Sequence, residues 1–338
     1  MPPIENVSIK IAVPERARFE YELLQYLTQL YGEGQAVFVR DRLIGIAEQA
    51  STMVEAPQKA ALSSADAMLI CYGDTLISDV QQPLQTLSDF ASAKLKEAFS
   101  GIHILPFFPS SSDDGFAVID YEQVRPDLGS WSDIGMLAQH FDLMFDLVIN
   151  HCSRENLWFA DFVGDRPPGN EFFHHMIGPQ NLTEVVRPRN TPLLTQVHTY
   201  SGIKEVWTTF SEDQVDLNFA NPKVLLCFTE ILFSYYIRGA RFLRLDAVAF
   251  IWKRIGTRCM SLPETHMLVR VLRLLVDIVD LPLVLLTETN VPHEENVSYF
   301  GDGAEAHMVY QFSLAPLLLH SYLSNDAQAL VKWTEELA

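Results

Sequence analysis

Six nearly continuous apolar runs, with helix-period segments between them, predict an α/β protein built on a parallel sheet covered on both faces. The runs are residues 67–74, 101–108, 141–149, 240–246, 283–289 and 307–312. Polar residues stand at or just past the C-terminal ends of three of them: Asn150 and His151, Asp246, and Glu288. That is the rim on which (β/α)8 barrels of the TIM type carry their chemistry. Residues 152–216 interrupt the alternation where the third run ends.

In order along the chain, residues 1–60 read as an N-terminal helical extension. Segments 14–31 and 35–50 have helix periodicity, with Phe19, Leu23, Leu24 and Leu27 on one face of the first and Val37, Leu43, Ile44 and Ile46 on one face of the second. Gly32-Glu33-Gly34 breaks them apart. Residues 61–151 form the first part of the barrel. Its first strand is followed by a helix with Leu84, Leu87, Phe90 and Leu95 at apolar positions, and the short segment 131–140 precedes the third strand.

Residues 152–216 are rich in proline, asparagine, histidine and aromatics, with Arg187-Pro188-Arg189 at the centre. A stretch of that length is expected to be a small folded subdomain rather than a structureless loop. Trp158, Phe159, Phe172, Phe173 and Trp207 suit either packing onto the rim or lining a sugar pocket. The barrel continues over 217–338. Helix 222–238 is apolar at Val224, Leu225, Phe228, Ile231, Leu232 and Tyr235, helix 265–279 at Leu268, Val271, Leu272, Leu275 and Val276, and helix 314–323 follows the sixth strand.

The chemistry concentrates on the fourth and fifth strands. Arg244 and Asp246 are two residues apart, so both face one side. The helix between the strands makes a crossover unit and sets them parallel. As neighbours their ends lie about 4.8 Å apart, which suits the roughly 5–5.5 Å of a retaining glycosidase pair. Asp246 is then the nucleophile and Glu288 the acid/base. The same residues also suit a plain Asp246–Arg244 ion pair beside a solvated Glu288. His151 is either a satisfied structural histidine or a site residue on the same rim. Arg187 and Arg189 are either solvated and ion-paired or, in so acidic a chain, the place where an oxyanion is held.

A net charge of −19 argues against nucleic acid and anionic membranes as partners. The N-terminus lacks a signal peptide's basic and apolar segments, and no apolar run reaches the roughly eighteen residues of a membrane span. Cys71, Cys152, Cys227 and Cys259 have no zinc-ligand or CxxC spacing, the pattern of reduced thiols in a cytoplasmic protein.

From about Ala67 onward, the chain resembles glycoside hydrolase family 13, the α-amylase superfamily, and within it the sucrose phosphorylase group. Asp146-Leu147-Val148-Ile149-Asn150-His151 is similar to that family's first conserved region, Arg244-Leu245-Asp246-Ala247 to its second, and Glu288 in Thr287-Glu288-Thr289-Asn290 to its third. Ile104-Leu105-Pro106-Phe107-Phe108, Arg187-Pro188-Arg189, Val206-Trp207-Thr208-Thr209-Phe210 and Glu305-Ala306-His307-Met308-Val309-Tyr310 resemble the phosphorylases rather than starch-degrading amylases. Segments 111–116 and 207–216 are similar to the branch acting on glucosylglycerate or sucrose 6′-phosphate.

The resemblance implies that Asp246 attacks the anomeric carbon and Glu288 protonates the leaving oxygen. Arg244 would orient the nucleophile and keep it ionised, and His151 would bind glucosyl hydroxyls. Asp113 and Phe116 match a glucose-binding carboxylate and aromatic platform, with Asp114 the adjacent carboxylate, and Asn290 joins the substrate-binding set. The partners implied are a small-molecule α-glucoside and inorganic phosphate, and no metal or organic cofactor is required. The alternatives are a hydrolase or transglucosidase using the same residues, and an inactive fragment that binds a glucoside or nothing.

Six strands fall short of the eight a closed barrel needs, and they leave open parallel edges. The fourth conserved region of the family, a His-Asp pair on the seventh strand, has no counterpart before Ala338. The expectation is therefore a barrel truncated after about six strands, or one that another chain completes.

Overall fold

The computed structural model describes residues 13–54 and 62–337. Helices α1 (Val13–Tyr31) and α2 (Glu33–Met53) come first, joined at Gly32, whose φ of 78° favours a residue without a Cβ. Strand β1 (Met68–Cys71), helix α3 (Pro83–Lys94), strand β2 (Gly101–Ile104), helix α4 (Trp131–Ala138) and strand β3 (Asp142–Val148) then alternate. Between β3 and the next long helix lie β4 (His151–Ser153), α5 (Leu157–Val163), β5 (Leu194–Thr199), β6 (Gly202–Trp207) and β7 (Gln214–Asp216). Alternation resumes with α6 (Pro222–Ile237), β8 (Ala240–Asp246), α7 (Pro263–Ile278), β9 (Val284–Thr287), α8 (His293–Val297) and β10 (Met308–Val309), followed by α9 (Leu314–Ser324) and α10 (Gln328–Glu336).

The main sheet has six strands in the order β1-β2-β3-β8-β9-β10, every neighbouring pair parallel. Sheet order follows chain order, as in six consecutive units of a (β/α)8 barrel, the fold class the sequence predicts. The regular strands are shorter than the apolar runs. Run 101–108 keeps strand geometry only to Ile104, because Pro106 has no N–H for a ladder. The sixth run shrinks to Met308–Val309, although His307 N still donates to Leu285 O and Tyr310 N to Thr287 O, both at 3.0 Å.

The pleat sorts the side chains of this sheet. Leu143, Phe145, Leu243, Leu245 and Leu285 join the large core formed with the helices, while Met144, Phe242 and Leu286 form a separate cluster on the inner face. Two residues further along that inner face come Asp146, Arg244 and Glu288. The strand that buries apolar side chains at its base therefore presents charge at its C-terminal end.

The expected N-terminal extension lies partly outside the described residues, at 1–12 and 55–60. Where described, its helices pack on the barrel: α1 against α2 and α7, and α2 against α6. The buried stripe of α2 is Ala36, Val39, Leu43, Ala47 and Ala50, while Val37, expected on that face, is 49% exposed. Size misleads here, because small alanines allow close helix approach and the large Val37 falls on the opposite side. Leu43 is fully buried between these helices. Leu43→Ala is expected to cost about 2–5 kcal/mol, read as a lower midpoint in chemical denaturation.

Residues 151–216 form two small antiparallel pairs, β4 with β7 and β5 with β6. The aromatics there pack. Phe159 and Phe162 meet Phe173 edge-on at 5.2 and 5.6 Å, and Trp158 lies against Tyr121 and Phe228 at 5.9 Å each. Trp207 shares an apolar cluster with Leu193 and Cys259. Among the described residues no helix is long and apolar enough to cross a membrane.

Candidate active site

The C-terminal ends of β1, β3, β8 and β9 and the loop after β2 surround a cavity of about 280 Å³. Asp246, Glu288, Arg244, His151, Asp113, Phe116 and Arg189, all singled out from sequence, line it together. Tyr72, Asp114, Phe210, Gln214 and Ala247 complete the wall. Arg187 and Asn290 do not line it, and both are exposed. In Arg187-Pro188-Arg189 only the second arginine reaches the cavity. Asn290 lies beyond the end of β9, where Thr289 turns inward instead and donates to Asn296 Oδ1 at 2.7 Å.

Register explains the central pair. Leu245 lies opposite Thr287, and Glu288 N donates to Leu245 O at 3.0 Å, so Asp246 and Glu288 occupy adjacent places at the ends of neighbouring parallel strands. Immediately after Asp246, Ala247 takes a left-handed φ of 51°. That turn points its N–H at Glu288 Oε2, which accepts at 3.0 Å. Arg244 stands between carboxylates: its Nε donates to Asp146 Oδ1, and a terminal nitrogen lies 3.6 Å from Asp246 Oδ1. The rings of Phe116 and Tyr310 flank the guanidinium, each centroid 5.6 Å away.

Burial and the neighbouring Glu288 push the Asp246 carboxyl well above its usual range, and Arg244 opposes them. Burial raises Glu288 as well, against the Ala247 amide and Arg244. Two buried neighbouring carboxyls do not both ionise readily, so the pair holds one proton. Arg244 favours the charged form of both carboxyls, and its terminal nitrogen contacts Asp246. A retaining pair needs the charge on its nucleophile and the proton on its acid.

Also lining the cavity, Asp113 sits at φ 55° after β2 and accepts from Gln214 Nε2 at 2.8 Å. Arg189 approaches both of its oxygens at 3.1 Å and lies over the Phe210 ring. His151 is held by a short chain of contacts. Lys253 Nζ donates to Asn150 Oδ1, Asn150 Nδ2 then faces His151 Nδ1 at 3.3 Å, and His151 Nε2 lies 3.1 Å from Phe116 O. The same Nε2 also lies 3.0 Å from Gln214 Nε2, so it meets both a carbonyl acceptor and an amide donor.

Burial pushes His151 down to about 4, His174 to about 3 and His307 to about 4, from an ordinary 6.5. Each is therefore neutral when folded. The unfolded chain binds more protons below about 6.5, so this part of the stability is complete above that pH and is lost as pH falls toward the folded values. The urea midpoint is expected to fall between those limits. His174→Leu, which also removes a buried Nε2 without a partner, is expected to flatten the fall.

Sequence reasoning missed His103, Asp146, Phe210, Gln214 and Tyr310 as contributors. Asp146 and His103 did leave a signal: each is a polar side chain inside an apolar strand and needs a buried partner. Phe210 and Gln214 reach the cavity through the folding of 151–216, and only their place in the phosphorylase-like segment 207–216 pointed to them. Among the described residues, no group of three or more His, Cys, Asp or Glu side chains is placed to hold a metal.

Residues 95–335 match the alpha-amylase family, described as alpha amylase, catalytic domain. The chain belongs to the alpha-amylase family. It is 48% identical over 316 residues to a glucosylglycerate phosphorylase of Allomeiothermus silvanus, a match covering 93% of this chain and 56% of that protein. A glucosylglycerate phosphorylase of Escherichia coli is 42% identical over 319 residues, covering 94% of this chain and 57% of that protein. The crystal structure of sucrose 6F-phosphate phosphorylase from Thermoanaerobacter thermosaccharolyticum superposes with a TM-score of 0.71 at 28% identity, covering 81% of this chain and 57% of that one. The chain thus spans little more than half the length of these alpha-amylase family relatives.

Proposed function

We propose that the chain carries the glucosyl-transfer centre of a retaining α-glucoside phosphorylase. The observation that carries this reading is Asp246, contacted by Arg244, at the end of the strand next to that of Glu288, with both carboxyls lining one cavity. Asp246 attacks the anomeric carbon while Glu288 gives its proton to the departing glycosidic oxygen, leaving a β-glucosyl ester on Asp246. A phosphate oxygen then attacks the same carbon. The ester bond breaks, Asp246 recovers its charge, and Glu288 takes the phosphate proton. Two inversions give α-glucose 1-phosphate.

The other assignments follow from the cavity. Asp113 and His151 receive the glucosyl hydroxyls, and Phe116 forms an apolar wall. Arg189, a cation at the rim, is the phosphate handle, with Arg187 outside the cavity as its reserve. No metal or organic cofactor enters these steps. Because its relatives at 42% and 48% identity are glucosylglycerate phosphorylases, glucosylglycerate is the first donor to try. In domain terms, 61–151 and 217–338 form the barrel, 152–216 closes over the cavity, and 1–60 is the helical extension.

The test is phosphorus NMR of the protein incubated with glucosylglycerate and inorganic phosphate. α-Glucose 1-phosphate is expected, with its yield falling in Arg189→Ala. Free glucose with no glucose 1-phosphate would instead support a hydrolase, and no turnover of any α-glucoside would contradict catalysis by this chain.

A further inference from the structure

Asp146 is a fully buried carboxylate on the inner face of the sheet that takes no part in the steps above. Both of its oxygens are engaged. Arg244 Nε donates to Oδ1, and His103 Nε2 lies 3.1 Å from Oδ2. The register brings these groups together, since Asp146 lies opposite Arg244 across β3 and β8, and His103 stands on β2, the other neighbour of β3. Three adjacent strands thus contribute one side chain each to a chain of contacts that ends at Asp246.

Arg244 is the guanidinium shared by three carboxylates, Asp146, Asp246 and Glu288. What one of them gains in contact, another loses. The Phe116 and Tyr310 ring centroids each lie 5.6 Å from its central carbon, so both rings limit where it can move. The buried His103 supplies Asp146 with a second donor where Arg244 would otherwise be the sole one.

We propose that His103 is a positioning residue for the nucleophile: by donating Nε2–H to the second oxygen of Asp146 it leaves the terminal nitrogens of Arg244, whose Nε holds the first, free for Asp246. This rests on the retaining reading above for what Asp246 does. The charged groups facing Asp246 are Glu288, Arg244, Asp146 and Asp113, and His103 acts on them through Asp146.

The experiment compares His103→Gln with His103→Asn. The glutamine amide reaches the place of Nε2 and keeps the donor, whereas the asparagine amide stops a bond short. His103→Asn is expected to lower kcat by about 10–100-fold, the usual loss when a group orienting a charged site residue is removed, with KM little changed. Carbon NMR is expected to show the Asp246 carboxyl titrating at higher pH in His103→Asn and as in wild type in His103→Gln. Wild-type kinetics and titration in both variants, or equal impairment in both, would overturn the proposal.

If His103→Asn does not fold, nitrogen NMR of the wild-type histidine ring decides instead. A proton on Nε2 that is lost or weakened in Asp146→Asn supports the contact, and a bare Nε2 overturns it. A wild-type protein that makes no glucose 1-phosphate refutes the phosphorylase reading. The Asp246 titration needs no turnover and still decides the role of His103.

Discussion

Asp246→Asn is expected to reduce glucosyl transfer by about 10⁴-fold or more, the scale of loss when a central catalytic side chain is removed. Asparagine keeps the shape of the side chain but cannot form the glucosyl ester. With the proposed sugar contacts of Asp113, His151 and Phe116 kept, the loss belongs in kcat rather than KM. Glu288→Gln makes a useful contrast. It is expected to lose about 10²–10⁴-fold with a poor leaving group, and much less with α-glucosyl fluoride, whose departing fluoride needs no proton. A Glu288→Gln defect as large with the fluoride as with glucosylglycerate would contradict its role as the acid. So would an Asp246→Asn variant with substantial activity, for the nucleophile.

The largest expected effect on stability lies at the joint between the barrel and 151–216. Lys253, whose side chain is 3% exposed, places Nζ 2.6 Å from Asp216 Oδ2 and 3.1 Å from Asn150 Oδ1, and it also donates to Phe250 O. Asp216 is fully buried and accepts from both the amide and the hydroxyl of Thr209. Burial works to raise its carboxyl, but Lys253 and Thr209 hold it below the usual range. Lys253→Met removes the counter-charge and leaves Asp216 buried and unpaired, which typically costs about 3–5 kcal/mol.

The double variant Lys253→Met, Asp216→Asn is expected to recover part of that loss, because no charge is then stranded. Denaturant midpoints of the two single variants and the double variant measure this directly. A Lys253→Met protein as stable as wild type would contradict the account of this joint. The consequence reaches the cavity, since Asn150 contacts His151 and β7 carries Gln214. Loosening here should therefore raise KM as well.

Much of this architecture was legible in the sequence because strand ends carry a distinctive pattern. Apolar runs that close on Asp246, on Glu288 and on Asn150-His151 identify both the parallel sheet and its rim, and the structure places the six strands in chain order. What was not legible depends on geometry between segments. Arg187 and Arg189 look equivalent either side of Pro188, yet only Arg189 reaches Asp113, because the path of 151–216 decides which one turns inward. Asn290 falls past the end of β9 and faces out. The alanine stripe of α2 escaped a reading weighted toward large apolar residues. Asp146 and His103 were visible as polar residues in apolar strands, but their pairing needed the register of three strands.

The central claim is that Asp246 becomes covalently glucosylated. The most direct measurement is mass spectrometry of peptides from Glu288→Gln protein, in which turnover of the intermediate is slowed, quenched after reaction with α-glucosyl fluoride. The account predicts one added hexosyl group on the peptide that contains Asp246, absent when Asp246 is also replaced by asparagine. A hexosyl group on any other peptide, or its continued presence in the double variant, would contradict it.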